Sequence, residues 1–409
     1  MGERELPEGW EWKRLGDVAD IFNGVTPPKS EQRECGHPVL KIKDIDENGQ
    51  FKDNQKSFVD NAFFLDNQKK ILKNGDTLIL NAAHSSDYVS SKKCYISNFP
   101  ENIIATGEWM IIRSNSGSID SKFIYFLLTS GSISLKIKTI VKGIHLYPKD
   151  MANLRIPLPP LSIQHQIVAV LERTEAMKRQ RREADALTGA LLQSVFREMF
   201  GDPERNERGW ETKTLYDILS EDPQNGLYKP SSEYSDSGTP IVRIDSFYDG
   251  KIGDLRNLKR INCTEKEIAK YQIHEGDVLI NRVNSLDFLG KCGLVQKIYE
   301  NTIYECNMIR MRPNRTLVHP TYLTAFLCTQ FVKNQILNRA KNAVNQASIN
   351  QQDVKALNIL IPPLALQQQF AHVVESVERI RDQQVASGRQ IEGLCEGLMQ
   401  RAFAGELVV

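Results

Sequence analysis

The sequence predicts a mixed α/β (α+β) fold in which two globular domains are joined by two long antiparallel coiled-coil helices with pseudo-two-fold symmetry. One observation is a repeat: "RIPLPPLSIQHQIVAVLE" from Arg155 returns as "NILIPPLALQQQFAHVVE" from Asn358. The other is the order within each copy, where short β-like runs precede a proline pair, and a long proline-free segment with heptad-spaced apolar residues follows.

The repeat covers the whole chain. "GWEWKRLGDV" from Gly9 matches "GWETKTLYDI" from Gly209, and "NGDTLILN" from Asn74 matches "EGDVLINR" from Glu275. The offset between matched positions stays between 199 and 203 residues, so a complete unit has been duplicated. The predicted parts are a first globular domain at 1–158, a first helix at 159–200, a second globular domain at 201–361 and a second helix at 362–409.

Each globular part contains short runs of β-forming residues that Gly, Asn and Asp separate, such as "PVLKIKDI", "DTLILNA" and "EWMIIRS" in the first copy. Helical patterns follow at 122–139 and 320–339. This mixture predicts an α/β domain with a twisted sheet in each copy.

The helical parts start at the proline pairs 159–160 and 362–363, because proline suits a first helical turn and disfavours helix before it. Apolar residues then recur at spacings of three and four over nearly five heptads, which predicts a coiled-coil seam with a polar centre. Because the unit is duplicated, we expect the two helices to pair antiparallel, with the globular domains at opposite ends. The predicted seam residues are Ile167, Val170, Met177, Leu191, Val195, Phe370, Val373, Val377, Ile380, Ile391, Leu394 and Leu398.

The composition is that of an ordinary globular protein, with 41% apolar and 25% charged residues. No apolar run reaches the roughly 18 residues that a membrane span needs. The seven cysteines are scattered and form no CxxC pair, which predicts reduced thiols in a cytoplasmic protein and no zinc site.

The charge is uneven although the net charge is only +1. Residues 121–149 include five lysines and no acid, and residues 306–352 include six basic residues and no acid. The two stretches occupy corresponding places in the two copies. They predict two local basic regions of the kind that contact a polyanion.

Catalytic motifs are missing from the sequence. There is no GxG, no GxxxxGK[ST], no HExxH and no GxSxG. "PLPPL" and "LIPPL" lack the polar and aromatic residues that flank the proline pair in adenine methyltransferases, and "DPERNERGWETK" from Asp202 is only a loose nuclease-like pattern. A duplicated chain with basic regions, a rigid helical spacer and no enzyme motif favours bipartite DNA recognition.

The chain resembles the specificity (S) subunits of type I restriction–modification systems. The resemblance depends on "LPEGWEWKRLGDVADIFNGVTP" from Leu6, "LRIPLPPLSIQHQIVAVLE" from Leu154 and "NQASINQQDVKALNILIPPLALQQQF" from Asn345, which open and close both units. It implies that each globular domain is a target-recognition domain for one half of a split, asymmetric DNA site. The helices would be the conserved spacer regions of that family, which set the gap between half-sites and dock two modification (methyltransferase) subunits.

The resemblance also implies a division of labour. S-adenosylmethionine, ATP and Mg would bind to the partner subunits, and restriction (translocase/endonuclease) subunits would join for cleavage, so this chain would hold no cofactor and no metal. Two alternatives stay open: a restriction–methylation enzyme fragment with undetected catalytic residues, and a coiled-coil scaffold that binds only protein. The opening loops "DIFNGVTPPKS" and "LSEDPQNGLYKPS" differ, which puts their equivalence in doubt.

We predict DNA contacts from residue types that bind phosphates or base edges and lie in loops or acid-free stretches. In the first domain these are Thr26, Lys29, Lys92, Lys93, Lys142, His145 and Tyr147. In the second they are Tyr228, Lys229, Arg282, Asn284, Ser285, Lys341, Asn345 and Gln346. The loops at 142–147 and 341–346 are the favoured pair.

Overall fold

The fold is described from a computed structural model of the chain. The structure describes residues 5–46, 49–52, 56–97, 99, 102–115, 117–248, 250–253, 255–343 and 346–407. The chain forms two compact units, one of residues 1–182 with 385–409 and one of residues 183–384. Each unit contains one globular domain and parts of both long helices, and each is described by itself.

The first unit contains ten strands and the first five helices among the described residues. The strands are β1 (Glu11–Arg14), β2 (Ala19–Asn23), β3 (Gln32–Arg33), β4 (His37–Leu40), β5 (Phe58–Val59), β6 (Thr77–Leu80), β7 (Lys93–Tyr95), β8 (Ile104–Ala105), β9 (Trp109–Ser114) and β10 (Arg155–Leu158). The helices are α1 (Asn61–Asp66), α2 (Ser121–Thr129), α3 (Gly131–Ile140), α4 (Pro148–Ala152) and α5 (Leu161–Phe200), the last of which continues into the second unit.

The second globular domain repeats this order and adds strands. Its strands are β11 (Glu211–Thr214), β12 (Gln224–Asn225), β13 (Tyr234–Ser235), β14 (Thr239–Val242), β15 (Phe247–Tyr248), β16 (Gly250–Ile252), β17 (Arg260–Ile261), β18 (Val278–Asn281), β19 (Val283–Asn284), β20 (Cys292–Leu294), β21 (Ile303–Tyr304), β22 (Met308–Met311), β23 (Lys341–Ala343), β24 (Gln346–Ser348) and β25 (Asn358–Ile361). The helices are α6 (Glu265–Tyr271), α7 (Pro320–Leu327), α8 (Gln330–Arg339), α9 (Gln351–Lys355) and α10 (Leu364–Ala404).

Three sheets with the same strand order occur in both domains. The order β2-β9-β6-β7 in the first domain matches β12-β22-β18-β20 in the second, β3-β5-β4-β8 matches β13-β17-β14-β21, and the pair β1-β10 matches β11-β25. Strand β6, with every residue buried, packs against α2 in the core of the first domain, and the equally buried strand β18 lies in the same core as α7 in the second. The predicted helical patterns at 122–139 and 320–339 each form two helices, because Ser130 and Thr329 take extended backbone angles between them.

One glutamine in each repeated proline–glutamine segment ties the start of a long helix to its own domain. Gln164 accepts a hydrogen bond from the Asp120 backbone N–H at 2.8 Å and donates to the Ser118 and Pro159 carbonyls at 2.8 and 2.9 Å. Gln367 makes the matching bonds in the second domain, and both side chains are fully buried. The repeated segment therefore contains a strand, a helix start and the buried amide that joins the helix start to its domain.

The long helices run antiparallel, as predicted. In the first unit the Cys395 thiol lies 3.9 Å from the Thr174 carbonyl oxygen. In the second unit the Gln384 amide donates to the Thr188 hydroxyl at 2.9 Å. Farther along α5 in that unit, Phe196 packs edge-on against Phe370, with 5.6 Å between ring centroids. Positions later in α5 thus meet positions earlier in α10.

Eight of the twelve predicted seam residues are buried or half-buried, and the other four are exposed, which contradicts a place in a seam for those four. Ile167, Val195, Phe370, Val377, Ile391 and Leu398 are buried or half-buried, and they include one predicted row of each helix. Val170 and Val373 are only half-buried, and Met177, Leu191, Ile380 and Leu394 are 41–52% exposed. The second row lies one residue later in both helices, at positions such as Leu171, Val374, Arg381 and Cys395. The error arises because several residues of the true row are polar, so apolar spacing alone favours the neighbouring row.

Within the described ranges, no single helix is long and apolar enough to cross a membrane. The helices α2 and α3 meet the length and composition test only when they are taken together, across a bend of 76°.

Candidate nucleic-acid interface

Two loops meet at the same edge of the sheet in both domains. In the first domain the Leu146 backbone N–H donates to the Asn81 carbonyl at 2.7 Å, which joins the loop after β6 to the loop after α3. In the second domain the Ile349 N–H donates to the Arg282 carbonyl at 2.9 Å, which joins the loop after β18 to the hairpin β23–β24. We call each meeting point a loop crossing, formed by 81–91 with 141–147 and by 282–291 with 340–343 and 346–349. Sequence reasoning singled out both later loops, and the structure brings them to these crossings.

The residue at the centre of each crossing differs between the domains, but its side chain donates to an equivalent backbone carbonyl in both. Asn81 donates to the Gly107 carbonyl at 3.0 Å and to the Asn23 side-chain oxygen at 2.8 Å, and it is buried. Arg282 donates to the matching carbonyl, that of Cys306, at 3.2 Å and is half-buried. Equivalent backbone therefore presents an amide in one domain and a guanidinium in the other.

The opening loops are equivalent in structure although their sequences differ. The Val25 N–H donates to the Ala105 carbonyl at 2.9 Å, and the Leu227 N–H donates to the Tyr304 carbonyl at 2.9 Å. A β-carbon on Gly24 or Gly226, one residue earlier, would lie 2.2 or 2.3 Å from a backbone oxygen, so only glycine fits this close approach. The next residues, Thr26 and Tyr228, thus occupy the same position in their domains. Tyr228 is 73% exposed.

In the first domain, five of the seven predicted DNA-contact residues are at the surface of these loops. Thr26, Lys29, Lys142, His145 and Tyr147 are exposed, and the His145 and Tyr147 rings lie 6.1 Å apart. The Lys142 ammonium is held by both carboxylate oxygens of Asp150, at 2.9 and 2.7 Å.

Lys92 and Lys93 are corrections to the predicted set. The Lys92 ammonium donates to the Ile45 carbonyl at 3.1 Å, and the Lys93 ammonium donates to the Ser134 hydroxyl at 3.1 Å behind strand β7. Burial and the nearby Lys138 charge lower the pKa of Lys93 to about 8. Both ammonium groups are therefore engaged inside the domain rather than presented to DNA.

In the second domain, the exposed members of the predicted set are Tyr228, Lys341 and Gln346. Asn284 and Ser285 are half-buried beside them, because Asn284 pairs with Ala347 in the small sheet β19-β24-β23. Asn345 lies outside the described residues.

Lys229 is a further correction. Its ammonium lies 3.2 Å from a Glu233 carboxylate oxygen and 3.1 Å from a Glu267 carboxylate oxygen. Hydrogen bonds to these two groups, that to Glu267 first, raise the pKa of Lys229, which keeps it charged but neutralised by its neighbours. Two carboxylates therefore compete with a DNA phosphate for this ammonium.

The acid-free stretch of the second domain does not form an acid-free surface. Arg310 is buried and binds Glu221, and Arg312 binds Glu221 and the buried Asp277. Lys333 donates to three backbone carbonyls of the loop 286–289 at 2.8–3.0 Å. Acids and carbonyls from distant parts of the chain occupy these cations. Among the described residues, Lys341 and Arg315 are exposed cations of the stretch that pair with no acid, and Arg315 donates to the Glu275 backbone carbonyl.

Sequence reasoning missed three exposed side chains on the loops after β6 and β18. Tyr88 is 45% exposed, and Leu286 and Phe288 are 46% and 52% exposed. Lys291 lies over the Phe288 ring, 5.7 Å from its centroid. The signal in the sequence was their position shortly after a mostly apolar strand, where a loop must begin.

No group of three or more His, Cys, Asp or Glu side chains that could hold a metal ion occurs in the described ranges. Beside the exposed carboxylates of Asp87 and Asp287, the two crossings expose hydroxyl, amide, imidazole, ammonium and aromatic groups. Such groups contact phosphates and base edges.

Comparisons with known proteins agree with this arrangement. A family model for the type I restriction modification DNA specificity domain matches the chain twice, over residues 7–184 and 207–387. The type I restriction enzyme EcoKI specificity subunit of Escherichia coli (strain K12) is 26% identical over 432 residues, which cover 100% of this chain and 91% of that protein. The putative type I restriction enzyme MjaX specificity subunit of Methanocaldococcus jannaschii is 34% identical over 219 residues, or 52% of this chain and 50% of that protein.

A solved chain from work on complex assembly and conformational transition of the type I R-M system has the same fold. Its TM-score is 0.61 at 20% identity, and the match covers 99% of this chain and 100% of the other. This likeness concerns the fold alone, and it confirms the predicted mixed α/β class.

Proposed function

Because this chain belongs to the type I restriction–modification DNA specificity family, we propose that it selects the DNA sequence on which such a complex acts. Each globular domain reads one half of a split, asymmetric site. The chain does so as a partner of modification and restriction subunits, in the cytoplasm where the DNA is. The subunits with which it assembles perform the methyl transfer and the cleavage.

One observation carries this proposal, namely that the loop crossing is built twice with different side chains. The backbone contact is the same at Leu146–Asn81 and Ile349–Arg282, and the opening loops make the matching backbone hydrogen bonds given above. The side chains at equivalent positions differ, as in Asn81 against Arg282, or Thr26 against Tyr228. A common frame with different contact groups supports two related readings of different base sequences.

The predicted seam residues that are exposed in the structure support docking of two modification subunits. In the first unit Met177 and Leu394 are 41% and 52% exposed, and in the second unit Leu191 and Ile380 are 42% and 45% exposed. Exposed apolar residues clustered on a helix pair are typical of a protein interface. Because each unit has its own pair, one modification subunit binds to each unit.

The globular domain of each unit lies against the other flank of the helix pair. Lys122 of α2 forms an ion pair with Glu172 of α5, and Lys251 of β16 forms one with Glu378 of α10. In heptad order Glu172 and Glu378 are on the side away from Met177 and Ile380. The apolar flank is therefore the side that a partner subunit can reach without displacing the recognition domain.

Methylation mapping tests the proposal. We expect DNA from cells that carry the chain with its modification and restriction partners to be methylated at a site with two different halves. Replacing residues 1–158 with a second copy of residues 201–361 changes the first half only, so that both halves become the second half-sequence. If the mapped site of this chimera keeps its original first half, the first domain does not read it.

Two controls separate the other functions. Pure chain, incubated with labelled S-adenosylmethionine and DNA, is expected to transfer no methyl group, and measurable transfer would favour an enzyme fragment. Native mass spectrometry of the assembled chimera must show the same subunit count as the parent. A complex that assembles but protects no DNA sequence would favour a protein-only scaffold.

A further inference from the structure

A cavity lies beside the opening loop of the first domain. Its volume is about 330 Å³, within the range of small-ligand pockets. Thr26 and Glu108 line it on the side of the loop crossing, and Gln32, Lys41, Lys43 and Phe58 line the rest. Glu108 belongs to this edge because its carbonyl accepts the Asn81 backbone N–H at 2.8 Å. The cavity thus opens next to the surface proposed to meet DNA.

The second domain fills the corresponding place with its own side chains. Thr106 and Glu305 are equivalent, since their N–H groups donate to the Leu40 and Val242 carbonyls, both at 3.0 Å. In the same strand register, Tyr234 is at the position equivalent to Gln32, and Arg243 is at the position equivalent to Lys41.

Arg243 lies over the Tyr234 ring, 5.2 Å from its centroid, and its Nε is 3.7 Å from a Glu305 carboxylate oxygen. Glu305 also accepts the Ile244 N–H at 2.7 Å. In the second domain, the Tyr234 ring, the Arg243 guanidinium and the Glu305 carboxylate therefore occupy the space that forms the cavity in the first domain.

The walls of the cavity suit a planar group attached to a phosphate. The Phe58 ring and the apolar side chains of Val39 and Ile42 provide flat, dry surfaces. The Lys41 and Lys43 ammonium groups form no ion pair with any residue that the structure describes, so they can meet an anion.

Two polar groups lie at the mouth of the cavity. The Thr26 hydroxyl accepts the Gly107 N–H at 2.9 Å and lies 3.4 Å from a Glu108 carboxylate oxygen. The hydroxyl can donate or accept a hydrogen bond, whereas the carboxylate only accepts. A carboxylate here selects a ligand that presents an amino or imino N–H.

We propose that this cavity receives one nucleobase with an exocyclic amino group, swung out of the DNA half-site that the first domain reads. The inference rests on the proposed function, because it needs that DNA at the opening loop. Glu108 accepts from the amino group of the base, Phe58 stacks on its plane, and Lys41 and Lys43 neutralise its phosphate. Proteins that extrude a base read it in this way, by stacking and by bonds to its pairing edge. The filled second domain leaves its own half-site stacked.

Base-analogue fluorescence of the assembled complex tests the proposal. Each adenine, guanine or cytosine of the mapped site is replaced in turn by a fluorescent analogue that keeps an exocyclic amino group, 2-aminopurine for a purine and a fluorescent cytosine analogue for cytosine. The adenines that become methylated are scored separately, because methyltransferases extrude their target bases. We expect a severalfold rise in fluorescence at one further position of the first half-site and at none of the second.

Variants locate the base in this cavity. Gln32→Tyr, Lys41→Arg and Thr106→Glu together copy the filling of the second domain, and we expect them to abolish the rise while the complex still assembles. Glu108→Gln keeps the shape of the cavity and removes the carboxylate, and we expect at least a twofold smaller rise. As a matched control, Asn307→Asp at the equivalent position of the second domain should leave the rise unchanged.

The outcomes separate this inference from the proposed function. The complex could methylate its site and show no rise in fluorescence except at the methylated adenines. That result would refute the proposal of an extruded base and leave the proposed function intact. A rise that persists with the cavity filled also refutes the inference, because the base then lies elsewhere. If the complex binds no specific site, the proposed function fails, and the inference fails with it.

Discussion

Lys341 is the residue whose charge reversal gives the sharpest test of the loop crossings. Its side chain is exposed on hairpin β23–β24 and forms no ion pair with any described residue. If it contacts a phosphate, Lys341→Glu removes one contact and lowers the slope of log affinity against log salt by about 0.9. Between 50 and 200 mM salt the variant then loses about 3.5-fold less affinity than the parent.

Lys142 is the equivalent cation of the first domain, but it is shared with Asp150. The pair is at the surface, where the Lys142 side chain is 64% exposed, so breaking it costs about 0–1 kcal/mol of stability. Asp150→Asn releases the ammonium, and we expect tighter DNA binding with a slope up to about 0.9 steeper. Lys142→Glu should have the opposite effect.

Fluorescence anisotropy of the assembled complex on a labelled duplex, measured at several salt concentrations, reports these slopes. Lys266→Glu on α6 is the matched control, because it changes the charge of the same domain equally at an exposed site outside the crossing. A Lys341→Glu slope equal to that of the control would refute a phosphate contact at the hairpin. A Lys142→Glu slope equal to that of the control would refute one at Lys142.

Other predictions concern stability and spacing. Asp76→Asn leaves the bidentate Arg113 without its buried carboxylate, and urea unfolding should show a loss of about 3–5 kcal/mol, whereas a loss below about 1 kcal/mol would contradict this. Asp277→Asn should cost less, because Arg312 keeps its ion pair with Glu221. The pKa of Lys93 is lowered from 10.5 to about 8, so the unfolded chain binds more protons between these values, and stability should rise with pH across that window by up to about 3 kcal/mol. Lys93→Met should remove this rise, and an unchanged difference curve would refute the assignment. Deleting one heptad from both long helices (181–187 with 384–390) removes about 10 Å of helix, and methylation mapping should show the gap shortened by about three base pairs; an unchanged gap would mean that the partner subunits set the spacing.

The element order was predictable because its signals are local. Proline pairs, β-like runs and heptads each reflect the geometry of a few neighbouring residues, and duplication doubles every signal. The helices start at Leu161 and Leu364, directly after the proline pairs. The two sequence loops at 142–147 and 341–346 lie at the crossings for the same reason, since each follows a helix and precedes the strand into a long helix.

The seam phase was only half predictable. Thr188 and Gln384 bond to each other across the helices, and Arg381 lies in the row where apolar spacing predicts no member. Polar side chains can occupy a seam when a partner on the facing helix satisfies them. That partner is distant in sequence, so one-dimensional spacing cannot reveal it.

The sequence alone establishes the duplication, the mixed α/β class, the long helices and the family resemblance, because repeats and periodicities are properties of adjacent residues. The folded chain decides which cations stay free, which seam row is buried and which domain keeps an open cavity beside its opening loop. Arg310 and Arg312 are neutralised by Glu221 and Asp277, which lie far away along the chain. Side chains from distant segments compete for the same charge and the same space, and that competition exists only after the chain has folded.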